Sequence, residues 1–222
     1  MGIGCVAAAR ADEPATQLAR PGKLLFADDF ARADAGEAWT GSLRSFRIED
    51  GALVVSQRED ATHPAVVRTT VEFKDAVLTF RFRFDGAPRF GVVFNDKNHA
   101  DSHAGHICRV SVSPNQISVG DDKEGAMKHG IYEKWQHADT KEEVRSIVES
   151  TQIKAPVKIE SKRWYSMTVE IVGDEMAVSL DGKPITRFKS SGFDHAVKNH
   201  WGFTVSGQSI DFDDVKLWSV ER

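Results

Sequence analysis

Apolar and polar residues alternate through the middle of the chain, over residues 77–119. In the first part of this stretch Leu78 and three phenylalanines alternate with Thr79, Arg81 and Arg83, and the pattern returns around Arg109. Successive side chains of a strand point to opposite faces, so a period of two predicts strands with one buried and one polar face. An antiparallel sheet with one solvated face fits this pattern. We expect Arg81, Arg83 and Arg109 to share that face as a polar trough.

Short apolar runs separated by turn residues occupy most of the remaining chain. Asp50–Gly51 lies between two such runs and predicts a hairpin, because both residues accept a positive φ. We expect the first run (residues 24–30) to pair with the last (residues 210–220). The one predicted helix follows a capping-box pattern at residues 140–143. Many short strands and almost no helix indicate an all-β, concanavalin A-like sandwich or jelly roll of antiparallel sheets.

Composition narrows the class of protein. The chain has 222 residues, 41% of them apolar and 28% charged, with a net charge of −4. This balance argues against nucleic acid as a partner, because such binding depends on neutralising phosphates. No apolar run approaches the roughly 20 residues that span a bilayer. Cys108 lies on the apolar side of its strand and is expected in the core.

Residues 1–22 are predicted to lie outside a single domain formed by residues 23–222. Residues 2–9 are small and apolar, and Ala9-Arg10-Ala11 has the form of a signal-peptidase site. The segment is either a signal peptide shortened at its start or a disordered tail. The first interpretation predicts a secreted or periplasmic bacterial protein.

Three groups of polar residues are candidates for chemistry. His99, Asp101 and His103 have side chains that suit zinc or a similar divalent ion, although an exposed loop rich in histidine would look the same. Residues 121–124 could supply an acid, a base or a calcium site. Arg81, Arg83 and Arg109 could bind a sugar hydroxyl, carboxylate or sulfate, or form cross-strand ion pairs, for example with Glu170 or Glu72. Asn95 and Trp135 are expected beside them, Trp135 as a surface on which a sugar stacks.

Several segments together resemble the 3-keto-disaccharide hydrolase domain family of concanavalin A-like sandwiches. The segments are FRIEDGAL at residues 46–53, the strands at 76–84 and 91–94, the pair at 163–182 and the closing pair at 201–216. The resemblance implies a β-sandwich that cleaves 3-keto-glycosides or binds sugars after export. The sequence departs from the family at His106-Ile-Cys-Arg109, where an acid is missing, and at Asp213-Asp214-Val215.

Two functions follow for the trough. As a glycoside hydrolase acting on a modified sugar, the protein would use Asp96, His106, Asp122 or Glu124 as acid, base or metal ligand. As a non-catalytic module, it would bind a glycan with the same arginines. An adhesive domain without a small ligand is a third possibility, for which replacing the trough arginines would leave sugar binding unchanged.

Overall fold

The computed structural model describes residues 14–41 and 45–221. Its strands, in chain order, are β1 (Pro21–Asp28), β2 (Thr40–Gly41), β3 (Phe46–Glu49), β4 (Ala52–Ser56), β5 (Ala65–Thr69), β6 (Ala76–Asp85), β7 (Arg89–Asn95), β8 (His106–Ser113), β9 (Gln116–Asp121), β10 (Gln152–Pro156), β11 (Tyr165–Val172), β12 (Glu175–Leu180), β13 (Lys183–Lys189), β14 (His200–Ser206) and β15 (Ser209–Val220). They form two antiparallel sheets, as the alternation predicted.

Sheet A has eight strands in the order β13-β12-β11-β6-β15-β4-β3, and β1 also pairs with β15. Sheet B has seven strands in the order β10-β9-β8-β7-β14-β5-β2. The pairing of β1 with β15 confirms the prediction for the two ends of the chain. Asp50 and Gly51 have φ angles of 52° and 74°, which confirms the hairpin between β3 and β4.

Two short helices interrupt the strands between β9 and β10. They are α1 (Ile131–Trp135) and α2 (Lys141–Ser150), and α2 buries Val144 and Val148. The helix predicted after residue 140 is therefore present. Its N-cap residue, Thr140, makes no side-chain capping bond, and the hydroxyl donates to the carbonyl of Lys134 instead. Within the described residues, neither helix is long and apolar enough to cross a membrane.

Aromatic side chains from both sheets fill the core. Phe212 of β15 in sheet A stacks on Phe203 of β14 in sheet B, with ring centroids 3.9 Å apart. Phe80 and Phe90 pack beside them, also from opposite sheets. Cys108 is fully buried, as expected, and burial raises the pKa of its thiol, so it behaves as a core residue.

The chain crosses from one sheet to the other between β6 and β7. β6 belongs to sheet A, whereas β7, β8 and β9 belong to sheet B. The link contains Gly86, with a φ of 88°, and Pro88. The prediction that residues 77–119 form one sheet is therefore wrong, because alternation identifies the buried face of a strand but not its sheet.

The described part of the N-terminal segment packs on the outer face of sheet A. The backbone N–H groups of Gln17 and Leu18 each donate to the Glu170 carboxylate at 2.7 Å, and that side chain is fully buried. β1 begins at Pro21. Residues 14–22, which were predicted to lie outside the domain, therefore include a segment that packs on it. The predicted signal at residues 2–11 lies outside the described residues.

Candidate functional site

A cleft crosses the outer face of sheet B, where cross-strand pairing aligns two rows of residues. In the first row Arg68 pairs with Gly202, Gly202 with Val93, Val93 with Arg109, and Arg109 with Gly120. Gly202 must lack a side chain, since a Cβ there would lie 2.1 Å from the carbonyl oxygen of Val67. In this row Gly202 and Val93 therefore lie between two arginines, Arg68 and Arg109.

The second row lies two residues further along the strands and is small and polar. Thr204 pairs with Gly91, Gly91 with Ser111, Ser111 with Ser118, and Ser118 with Lys154. Glycine and serine leave space above the sheet and offer hydroxyl groups for hydrogen bonds.

The loop and helices between β9 and β10 wall the cleft on one side. Met127, Trp135 and Gln152 line this part, which has a volume of about 330 Å³. It continues over β7 and β14 into a hollow of about 140 Å³, and the two parts share Arg89, Arg109 and Ser111. Trp135 therefore lies in the cleft, where a sugar-stacking residue was predicted, with the Lys141 ammonium 4.5 Å from its ring centroid.

Arg109 and Asp122 form an ion pair at the wall of the cleft. Nε of Arg109 donates to Oδ2 of Asp122 at 2.6 Å, and Asp122 is only 4% exposed. Burial is the largest influence on this carboxyl, and it raises the pKa of Asp122 despite the opposing effect of Arg109. A buried carboxylate with a raised pKa, next to a cation in a cleft, is typical of a general base.

Four buried polar atoms at this end of the sheet have no hydrogen-bond partner among the described residues. They are Nη2 of Arg109, Nε of Arg68, Nδ1 of His106 and Oδ1 of Asn95. Buried polar groups are nearly always hydrogen-bonded, because an unsatisfied group costs about 1–3 kcal/mol. Of these residues Arg109 lines the cleft, so its Nη2 is a donor available there.

His106 is held neutral at this end of the sheet. Burial, followed by the positive charges of Arg109 and Arg68, lowers the pKa of His106 to about 3. Its ring keeps some solvent contact although Nδ1 is buried. A neutral imidazole can accept or donate one hydrogen bond, so His106 suits a binding role better than that of a strong base.

Acid is expected to destabilise the protein through His106. The imidazole of His106 has a pKa of about 6.5 in the unfolded chain and about 3 in the folded protein. As the pH falls through this interval, only the unfolded state gains a proton, so the free energy of unfolding decreases. Between pH 7.5 and 5.0 we expect a loss of about 1–2 kcal/mol from this side chain. Urea unfolding at both pH values would measure it, and His106→Gln should lessen the loss by that amount. An equal loss in both proteins would contradict the assignment.

Arg81 and Arg83 do not share this cleft with Arg109. They lie on the outer face of sheet A, where Arg81 donates to Asp213 at 3.0 Å and Arg83 to Asp211 at 2.8 Å. The predicted trough of three arginines is therefore wrong, and the cross-strand ion pairs left open as the alternative are present, with aspartates of β15 as partners. Both guanidinium groups also lie within 4.9 Å of the Trp164 ring centroid.

The predicted metal ligands are not brought together. The His103 ring stacks on Tyr132 with centroids 4.1 Å apart, and the His99 ring lies 5.0 Å from that of His195. Within residues 14–41 and 45–221, no group of three or more His, Cys, Asp or Glu side chains is arranged to hold a metal ion. The prediction that His99, Asp101 and His103 converge on a metal is therefore wrong, because the loop points them to different neighbours.

The other two predicted acids have partners outside the cleft. Asp96 accepts hydrogen bonds from His195, Asn98 and Asn199 at 2.8–3.0 Å; burial opposes its ionisation, but these bonds lower the pKa of Asp96 overall. Glu124 pairs with Lys128 at 2.8 Å. Both arrangements stabilise loops, and neither favours the predicted catalytic role.

A larger cleft of about 540 Å³ lies beside β1, lined by Asp28, Arg32, Asp214 and Lys216. Both of its cations are paired with carboxylates, Arg32 with Asp28 and Lys216 with Asp214. The indole of Trp39 also donates to Asp28 at 2.7 Å. The smaller cleft of sheet B is the better candidate, because it is lined by Arg109, whose Nη2 has no hydrogen-bond partner among the described residues.

Sequence reasoning missed Arg89 and Lys154, which line the cleft, and Arg68, which lies on the same face of sheet B. Alternation along β5 places Arg68 on a polar face between the buried Val67 and Thr69. Alternation alone does not show which sheet this face belongs to; the pairing of β5 with β14 places Arg68 on the same face of sheet B as Arg109.

Solved structures with the same fold include carbohydrate-active proteins. The carbohydrate-binding module CBM66 from Bacillus subtilis is 14% identical, with a TM-score of 0.57 over 82% of this chain and 96% of that chain. The laminarinase from Rhodothermus marinus is 12% identical, with a TM-score of 0.62 over 93% and 100% of the two chains. At these identities the likeness shows the β-sandwich fold alone. No curated protein matches the sequence.

The family model of the 3-keto-alpha-glucoside-1,2-lyase-like domain matches residues 25–217, which is most of the chain. This match agrees with the segments that suggested the family at the level of sequence. The chain belongs to the 3-keto-alpha-glucoside-1,2-lyase-like domain family.

Proposed function

We propose that the protein is a carbohydrate-active enzyme that cleaves 3-keto-glycosides in the cleft of sheet B. The observation that carries the proposal is the Arg109–Asp122 pair, which combines a buried carboxylate of raised pKa with an unpartnered guanidinium nitrogen. Family membership supports the substrate, since the family is named for a lyase acting between C1 and C2 of a 3-keto-glucoside.

The chemistry of such a substrate needs one base and one oxyanion partner. A ketone at C3 makes the proton on C2 acidic, because the electrons left behind are delocalised onto the ketone oxygen. Asp122 would take this proton on Oδ1, which forms no hydrogen bond among the described residues. Arg109, through Nη2, would bind the enolate oxygen, and Arg68 lies in the same row to add a second positive charge.

Elimination then completes the cleavage. The enolate electrons form the C1–C2 double bond, the bond from C1 to the glycosidic oxygen breaks, and the departing oxygen takes the proton from Asp122. The carboxylate is thereby regenerated and no water is consumed in this step. This route needs a single carboxylate, whereas ordinary glycoside hydrolysis uses a pair of them.

The test is to incubate the protein with a 3-keto-α-glucoside in D₂O and to follow products by NMR. We expect release of the C1 substituent, and slower reaction of a substrate that carries deuterium at C2. The parent glucoside without the ketone should stay intact, because its C2 proton is not acidic. Equal cleavage of both glycosides would contradict the proposal.

Sugar binding without catalysis is the second candidate function. The small polar floor of Ser111, Ser118 and Thr204 favours it, since these hydroxyls suit sugar recognition whether or not a bond is broken. Calorimetry distinguishes the two functions: saturable binding of 3-keto-glycosides with no product after prolonged incubation would support a binding module.

A further inference from the structure

The cleft carries uncompensated positive charge at some distance from Asp122. Arg89, at the start of β7, and Lys154, on β10, both line the cleft and are exposed. Arg89 makes one long hydrogen bond to Ser206, at 3.5 Å, and neither side chain forms an ion pair with a described residue. Many other surface cations are paired with a carboxylate, as Arg187 is with Glu175 and Lys134 with Glu143.

The carboxylates that line the cleft do not offset this charge. Asp122 is already paired with Arg109. Asp121 points away from the cleft and accepts hydrogen bonds from Ser190 and the backbone of Gly192, at 2.6 and 2.8 Å. The unpaired cations therefore attract an anion from solution, and the shape of the cleft admits one.

The spacing indicates that this anion belongs to a different part of the ligand from the reacting ring. Arg89 lies four residues from Val93, the neighbour of Arg109 in the first row, which corresponds to about 13 Å along the strand. Ser111 and Ser118 lie between them in the second row. This distance exceeds the width of one sugar ring, and the floor between is suited to a second.

We propose that the natural ligand is an extended glycan whose neighbouring residue carries a carboxylate or sulfate, bound by Arg89 and Lys154. This inference rests on the proposed function, because it concerns the same cleft. Arg89 on β7 and Lys154 on β10 are separated by three strand spacings, about 14 Å, so their long side chains reach a tetrahedral sulfate or a planar carboxylate between them from opposite sides.

Calorimetry with unoxidised oligosaccharides, which the proposed reaction leaves intact, tests the inference. Neutral, uronate-containing and sulfated chains of equal length would be compared on the wild type and on the double variant Arg89→Gln, Lys154→Met. We expect at least one anionic class to bind about tenfold or more tightly than the neutral class. Added salt should reduce this preference, and the double variant should abolish it.

The control is Lys183→Met, which removes an exposed charge from β13 of sheet A and should change nothing. A preference for uronates alone or for sulfated chains alone supports the inference and identifies the group. Equal affinity for neutral and anionic chains, or a preference that persists in the double variant, overturns this inference but not the proposed function. Binding of no unoxidised oligosaccharide also overturns this inference, whereas the proposed function is tested separately by cleavage of the 3-keto-α-glucoside.

Discussion

Asp122→Asn is expected to reduce cleavage of a 3-keto-glycoside by about 10²–10⁴-fold, the usual contribution of a general base. An amide can still accept the hydrogen bond from Nε of Arg109, so the geometry of the pair is preserved. It cannot take a proton from C2. Single-turnover rates of wild type and variant would measure the effect, with thermal unfolding to verify that both proteins are folded.

The matched control is Glu124→Gln, two residues along the same turn. Glu124 pairs with Lys128 and does not line the cleft, so its loss should leave the rate within about twofold of wild type. If Glu124→Gln impaired cleavage and Asp122→Asn did not, the base would have been assigned to the wrong carboxylate.

The pH dependence of the rate gives an independent measure of the same carboxyl. Asp122 acts as a base only when ionised, so the rate should fall as pH decreases through its pKa. Burial raises that pKa above the ordinary 3.8, and the acid limb of the profile should lie above that value in the wild type. A rate that does not change with pH on the acid side would argue against Asp122 as the base.

Arg109 should act in the same step as Asp122. Replacing either residue disrupts the same transition state, so the losses in Arg109→Gln and Asp122→Asn should not add in the double variant. Additive losses would indicate that the two side chains act separately, and that Arg109 mainly binds substrate.

The fold was predictable from local pattern because each strand of the sandwich has one apolar face. The alternation predicted that Phe80 and Phe82 are buried in a core, and the Asp50–Gly51 pair predicted a turn; both are present. Which sheet a strand joins depends on how the link before it crosses the core, and no period in the sequence records that. Arg83 and Arg109 therefore looked equivalent although their strands lie in different sheets.

The site was predictable only in part, for a related reason. Asp122, His106 and Trp135 were candidates because they lie in polar stretches of the sequence, and Arg109 because it alternates with apolar residues. Arg68 was not, because its place in the row with Arg109 depends on its pairing with Gly202, more than a hundred residues away, where the backbones of β5 and β14 approach too closely for a side chain. His99 and His103 led to the wrong prediction of a metal site, because closeness in sequence does not determine where the side chains of a loop point.

Lys198→Met is expected to lower the free energy of unfolding by about 3 kcal/mol. The Lys198 side chain is fully buried, and its ammonium donates to the carbonyls of Lys74 and Phe193 at 2.8 Å and of His195 at 3.1 Å. Methionine fills a similar volume but donates no hydrogen bond. Three carbonyls would then lose a donor, each at a cost of about 1–3 kcal/mol, partly offset because burial of the charge is itself unfavourable.

The loss should extend beyond the contacts of Lys198 itself, because its ammonium holds the segment that supports the cleft from behind. Ser190 and Gly192, in that segment, donate to Asp121, the residue before the proposed base. His195 and Asn199 hold Asp96 beside β7. Loss of the Lys198 ammonium should therefore lower the overall stability and also make the turn that contains Asp122 less rigid.

The free energies of unfolding of Lys198→Met and Lys183→Met would be compared by urea unfolding. The comparison distinguishes loss of the buried hydrogen bonds from the effect of removing one positive charge. Each variant removes one positive charge, but Lys183 is exposed on β13, so its replacement should change stability by less than about 0.5 kcal/mol. Equal and small losses in the two variants would mean that water replaces the ammonium at little cost. A loss confined to Lys198→Met would establish that three carbonyls around one buried cation hold the supporting segment in place.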